Sequence, residues 1–177
     1  MPFTPFHMGA GILIKSILQS SFSLMIFGWS QIVMDIQPLI ALITEEGKLH
    51  GFSHTYIGAI LLALFSAVSG KHLSEFILKL LRIKKENNPI IISWRVVFIS
   101  ASIGTFSHVI LDSIMHSDME PFYPISLLNP LLHTISVSQL HKILLYSGLV
   151  GAAVYYLVQY IIYKRSKNVK TRTKTLL

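Results

Sequence analysis

Long apolar runs alternate with short polar segments along most of the chain. The clearest run covers residues 144–163, which carry no formal charge and are closed by Lys164-Arg165. A helix of that length is ~30 Å long, the thickness of a bilayer's hydrocarbon core. Residues 55–70 make a shorter run of the same kind, and residues 89–115 make a third, interrupted only by Arg95 near its start. The N-terminal third is less regular. Lys15 interrupts residues 8–18, and Gln19-Ser20-Ser21 reads as a turn before the apolar residues 22–36. The pattern predicts an all-α, polytopic transmembrane bundle of about five helices: three clear spans plus an N-terminal helical hairpin. A re-entrant element or one full span is the alternative for the hairpin. Residues 1–165 then form one membrane-embedded domain, and residues 166–177 a basic, mobile cytoplasmic tail.

Composition sharpens this picture. The 177 residues are 52% hydrophobic and only 13% charged, with mean hydropathy +0.59. An ordinary soluble domain carries about a quarter charged residues, and a disordered chain needs low hydrophobicity, so both are disfavoured. No cysteine is present, which excludes disulfides, thiolate ligands and cysteine nucleophiles and leaves imidazole and oxygen to carry any chemistry. The first eight residues hold no basic stretch and no small-residue cleavage site follows, so signal-peptide removal is not expected.

The net charge of +7 is unevenly placed: twelve of the fifteen Lys and Arg fall between Lys71 and Arg95 or between Lys164 and Lys174. Both segments lie at one end of the expected bundle, which the positive-inside rule makes cytoplasmic, with the C-terminus inside a multi-pass cell (inner or plasma) membrane. Aromatic interleaving is absent from the basic tail, so nucleic acid is not an expected partner.

The polar residues with chemical capacity collect at the opposite end. His108, Asp112 and His116 are each four apart, one narrow stripe on a helix with ~6 Å of rise per step. Neighbours in that stripe can share an ion, whereas His108 and His116, ~12 Å apart along a regular helix, cannot. Three ligands therefore mean two metals or a helix end near Ser113. His50 and His54 form a second pair at the same spacing. Gly51 argues against a helix there, and Ser53 is a candidate cap for the helix that follows. His7 and Asp35, at the two ends of the hairpin, arrive at the same height. His133 and His141 are further candidate ligands in the loop spanning residues 118–142, and Asp118 or Glu120 in that loop is the candidate catalytic base. Pro121, Pro124, Asn129 and Pro130 predict turns in this loop. It suits a lid over the site, and its Phe122-Tyr123 and Leu127-Leu128 suit interfacial anchoring.

Thr4-Pro5-Phe6-His7, Asp35, His50-Gly51-Phe52-Ser53-His54 and Ser107-His108 with Leu111-Asp112 together resemble the YdjM-type membrane-bound metal-dependent hydrolases. The resemblance spans residues 4 to about 130. That family commonly has an acidic pair near the position of Asp35 and a basic residue after the first His of its His-Gly motif; Gln37 and Gly51 stand there instead. In ligand order the chain is more distantly similar to zinc-dependent phospholipase C and the P1-type nucleases. Carried over by position, that likeness implies one zinc held by Asp35, His50 or His54, His108 and Asp112. A second would be served by His7, a bridging Asp112 and, as a further ligand, His116.

The expected function is a membrane-bound hydrolase acting on a phosphoester or lipid phosphate through metal-activated water, with zinc the first choice and manganese or iron compatible. Membrane lipid and a small-molecule or lipid phosphoester are the expected partners. A metal carrier or sensor, and a structural membrane protein, are the alternatives. A carrier is the weaker of these, because ligands near mid-bilayer and inverted repeats are the marks of transporters and no repeat is seen.

Overall fold

The structure is a computed structural model that describes residues 4–85 and 88–175. Among these the chain forms five α-helices: α1 (Thr4–Leu18), α2 (Leu24–Thr44), α3 (Tyr56–Leu80), α4 (Trp94–Met115) and α5 (Val137–Thr175). Helices α2 to α5 are each long and apolar enough to cross a membrane. The expected all-α bundle is therefore the fold.

The N-terminal hairpin forms as a hairpin. A 3₁₀ turn at Gln19–Ser21 reverses the chain between α1 and α2. Lys15, the charge that interrupts the first apolar run, bends back to this turn and donates to the carbonyls of Gln19 at 2.7 Å and Phe22 at 2.6 Å. Its ammonium thus satisfies carbonyls that the helix end leaves open. Because α1 and α2 run in opposite directions, His7 near the start of α1 and Asp35 in α2 do reach the same end of the bundle.

Element boundaries differ from the hydropathy pattern in instructive ways. Helix α2 continues past Ile36 to Thr44 with Pro38 inside it. Proline removes one hydrogen bond, to the carbonyl of Met34, but the apolar residues beyond it continue the helix. Helix α3 runs on through the charged residues 71–80. Within them Lys71 pairs with Glu75, donates to the carbonyl of Ile92 at 2.6 Å and lies 5.3 Å from the Trp94 ring centroid. The segment before α4 is not helical: Lys84–Lys85 and Asn88–Pro89 form a two-residue antiparallel ladder, and Ser93 caps α4. Helix α5 does not end at Lys164, and its backbone stays helical through the basic segment to Thr175. Residues 176–177 lie outside the described part.

Helices α2, α3 and α4 pack mutually, and α1 lies between α2 and α5. The α1–α5 seam is closed by glycine: a Cβ on Gly9 would collide with the Leu144 carbonyl. Small residues such as Ala59, Ala63, Ala67 and Ala101 are buried in the three-helix core and let the backbones approach. The bundle buries polar side chains among its apolar core and is apolar outside. Ser30, Gln31, Ser66, Ser100, Thr105, His108 and Asp112 are fully buried, whereas Ile43, Leu64, Phe65, Leu149 and Tyr160 are more than half exposed. That distribution is what a bilayer selects, since lipid accepts apolar side chains and penalises unsatisfied polar ones.

Candidate metal centre

Three local devices bring the polar residues together. On α4, His108 and Asp112 stand one turn apart on the buried face, with Nε2 and Oδ2 3.1 Å apart. The helix then stops at Met115, and His116 is its extended C-cap, so the third member of the stripe leaves the helical line. Between α2 and α3 the chain forms a 3₁₀ turn, Phe52–His54, and the cap of α3 is Thr55, whose hydroxyl accepts the Gly58 N–H at 2.9 Å. Ser53, the expected cap, instead bonds the Nδ1 of His54 at 2.8 Å. His50 and His54 are therefore presented by a turn rather than by consecutive turns of one helix.

The result is two adjoining groups. Asp35, His54, His108 and Asp112 each offer a ligand atom with all four within 4.8 Å of one another; His50, His116 and Asp118 form a second such group. The groups touch through their rings, with His50 5.0 Å from His54 edge to face and stacked on His116 at 4.3 Å. His7 joins from α1: its Nε2 lies 3.5 Å from Asp112 Oδ1, while Asp112 Oδ2 faces His54 Nε2 at 3.4 Å. The two oxygens of Asp112 thus face different partners, the arrangement a carboxylate needs to bridge two ions. Asp35 Oδ1 approaches His108 Nε2 at 3.2 Å.

These contacts are ion-pair approaches between imidazole and carboxylate. The Nε2 atoms of His7, His50, His54, His108 and His116 and both oxygens of Asp112 are buried without a hydrogen-bond partner. Buried polar atoms are normally satisfied, so a concentration of orphans is a feature that needs a cause. Ligand geometry supplies one. Two atoms each about 2.1 Å from a tetrahedral ion stand about 3.4 Å apart, and the four carboxylate–imidazole separations lie between 3.1 and 3.5 Å. The donor set of imidazole and carboxylate without thiolate suits zinc, manganese or iron.

The outer nitrogens of three histidines are held. His108 Nδ1 is 2.8 Å from Gln31 Oε1, and Gln31 is itself oriented by donating its amide to the Gly104 carbonyl at 2.9 Å. An acceptor oxygen at Nδ1 means that Nδ1 carries a proton, and Nε2 is the ring nitrogen that faces the Asp35 and Asp112 carboxylates. His50 Nδ1 donates to both oxygens of Asp118 at 2.9 Å. The Ser53 hydroxyl is hydrogen-bonded to His54 Nδ1. Fixing the distal nitrogen is how proteins set the tautomer of a metal-binding histidine. Burial holds His54 below its usual pKa, and burial followed by the charge of His50 does so for His116. Burial alone would raise the Asp118 carboxyl, but its bond to His50 and that ring's charge outweigh it and keep Asp118 below the ordinary carboxylate value.

All seven expected ligands, His7, Asp35, His50, His54, His108, Asp112 and His116, therefore meet at one end of the bundle. The likeness to phospholipase C left His50 and His54 as alternatives and gave His116 to the ion beside His7. The structure groups His54 with Asp35, His108 and Asp112, and places His116 with His50. Of the two candidate bases, Asp118 belongs to the second group, whereas Glu120 belongs to neither and pairs with Lys48 at 3.0 Å. His133 is exposed, its N–H bonded to the Ile114 carbonyl, and His141 stacks on Phe6 at 4.6 Å; neither belongs to the two groups. The turn-rich loop is tied down over this end, with the Pro121 carbonyl accepting the Tyr56 N–H at 2.9 Å and Asn129 donating to the Ser113 carbonyl at 2.8 Å.

Gln31 was not singled out by the sequence, Ser53 was expected only as a helix cap, and Gln37 only as a departure from the resembled family. Gln31 carried a usable signal, a lone amide one helical turn before Asp35 in an apolar run. Gln37 accepts the Ser53 N–H at 2.9 Å, and a Cβ on Gly51 would collide with its amide. The two positions at which the chain departs from the resembled family are thus in contact with each other.

The molecule is defined by these findings as a helical membrane-type bundle with a buried His/Asp group able to hold a metal ion. Compared with protein-family models, with curated proteins and with solved structures, the chain matches none.

Proposed function

We propose that the protein is a membrane-bound, metal-dependent hydrolase of phosphoesters. The observation that carries this reading is the cluster of buried His Nε2 and Asp112 oxygens, without hydrogen-bond partners and at ligand-to-ligand spacing. It agrees with the resemblance to the YdjM-type hydrolases and with the ligand order of zinc-dependent phospholipase C. His54, His108, Asp35 and Asp112 hold one ion, for which zinc is the first choice. Asp112 also faces His7, and His50 with His116 complete the adjoining position. A divalent ion there supplies Lewis acidity, making water nucleophilic at neutral pH and offsetting charge on a phosphoryl oxygen.

The chain's own residues orient and exclude. Gln31, Ser53 and Asp118 hold the imidazoles, which gives Asp118 a positioning role in this reading. Glu120, held by Lys48, braces the loop beside the site. In the net reaction water adds to phosphorus, the bond from phosphorus to the alcohol oxygen breaks, and the alcohol leaves with a proton from the water. The basic ends of α3, α4 and α5 face the cytoplasm in this reading, which puts the site on the non-cytoplasmic side.

The test is hydrolysis of p-nitrophenyl phosphate and bis-p-nitrophenyl phosphate by protein purified in detergent. Activity is expected to vanish on chelation, to return with zinc or manganese, and to fall at least 100-fold in Asp112→Ala. Activity that survives chelation, or none in metal-loaded wild type with either ester, contradicts the proposal.

A further inference from the structure

A cavity of about 500 Å³ opens beside the candidate centre, and its lining is of two kinds. Asp35, His50, His116 and Asp118, from the two ligand groups, supply the polar part. Ile32, Ile36, Leu39 and Leu42 of α2, all between 42% and 54% exposed, supply an apolar wall on either side of Asp35 along the helix. The ten helical steps from Ile32 to Leu42 extend the apolar wall for about 15 Å. These residues belong to a helix long and apolar enough to span a membrane.

A water-soluble phosphoester gains nothing from such a wall, whereas a lipid is already there. From this geometry we infer that the substrate is a membrane amphiphile with an anionic phosphate head, entering sideways from the bilayer. Its head meets the cationic metal centre at His50, His116 and Asp35, and its chain lies along the α2 wall. The size agrees, because ligand pockets commonly enclose about 300–1,000 Å³. The inference rests on the proposed hydrolase reading for the role of the head group. The groove itself stands on the placement of its apolar wall.

The test uses the full chain in detergent with a non-hydrolysable probe, a dodecyl phosphonate bearing a diazirine at mid-chain, and maps the photolabel by peptide mass. Labelling is expected to concentrate on residues 32–42 and Leu49, to be competed by excess dodecyl phosphonate and not by dodecanol. Ile36→Trp, which fills the wall from its exposed side, should weaken probe binding at least about 10-fold with metal content unchanged. Ile60→Trp, on the half-exposed face of α3, should leave it unaltered. Label spread evenly over the outward faces of α2, α3 and α5, or unchanged binding in Ile36→Trp, overturns the inference. If the protein proves free of metal, the hydrolase reading fails separately, and labelling confined to the groove still supports an amphiphile site.

Discussion

At the residue scale the centre depends on amide and hydroxyl groups as much as on its ligands. Gln31 is the clearest case, since its carbonyl oxygen fixes the His108 tautomer and its amide nitrogen is anchored on Gly104. Removing such an outer partner typically costs 10- to 100-fold in metal affinity. Gln31→Leu is therefore expected to bind zinc about 10- to 100-fold more weakly in chelator competition, while Gln31→Glu, which keeps an acceptor oxygen, retains most of the affinity. Equal affinity in Gln31→Leu and wild type would show that His108 is not oriented this way. The residues of the cluster were legible in the sequence, because a histidine or aspartate inside an apolar run is costly unless it is paired or hydrated. Their partition was not legible. Whether His50 or His54 joins His108 depends on how a turn between helices folds back, and no spacing rule carries that information.

At the element scale the site is held by ends rather than by helix bodies. Thr55 starts α3 immediately after His54, Met115 ends α4 immediately before His116, and Gln37 pins the intervening turn through Ser53. The Gly51–Gln37 contact makes a sharp prediction. Gly51→Ala introduces a methyl where the Gln37 amide lies, an overpacking expected to cost about 1–3 kcal/mol. Gln37→Ala in the same chain should recover part of that loss, since residues in contact are not additive. Thermal unfolding in detergent of the two single variants and the double variant checks it, and strictly additive shifts would contradict the contact. Hydropathy located every long helix, but it placed several ends wrongly. The end of α2 was hidden because apolar residues continue beyond Pro38, and the end of α3 because lysines and a glutamate extend a helix after its apolar run has finished. The non-helical start before α4 was hidden because Ile90, Ile91 and Ile92 are as apolar in an extended segment as in a helix.

At the scale of the whole molecule, five helices running alternately up and down place the histidines at one end and most of the basic residues at the other. The orientation proposed from that asymmetry can be read without background, because the chain has no cysteine of its own. In intact cells a membrane-impermeant maleimide should label Ser126→Cys in the loop over the site, and should label Ser166→Cys only after the cells are opened. The reverse pattern would put the site on the cytoplasmic side. Overall architecture was legible from apolar run lengths alone, because a bilayer imposes a length and a charge rule that soluble folds do not share. The lateral groove was not, since it arises where α2 passes the His116 cap of α4 and the 49–50 turn.

Elemental analysis of tag-free protein purified in mild detergent, set beside His108→Ala and Asp112→Ala, tests the metal centre most directly. One or two zinc, manganese or iron ions per chain in the wild type, lost from both variants while their helical circular dichroism is kept, is the expected result. A well-folded wild type that holds no divalent metal, even after reloading and removal of excess ion, would contradict it.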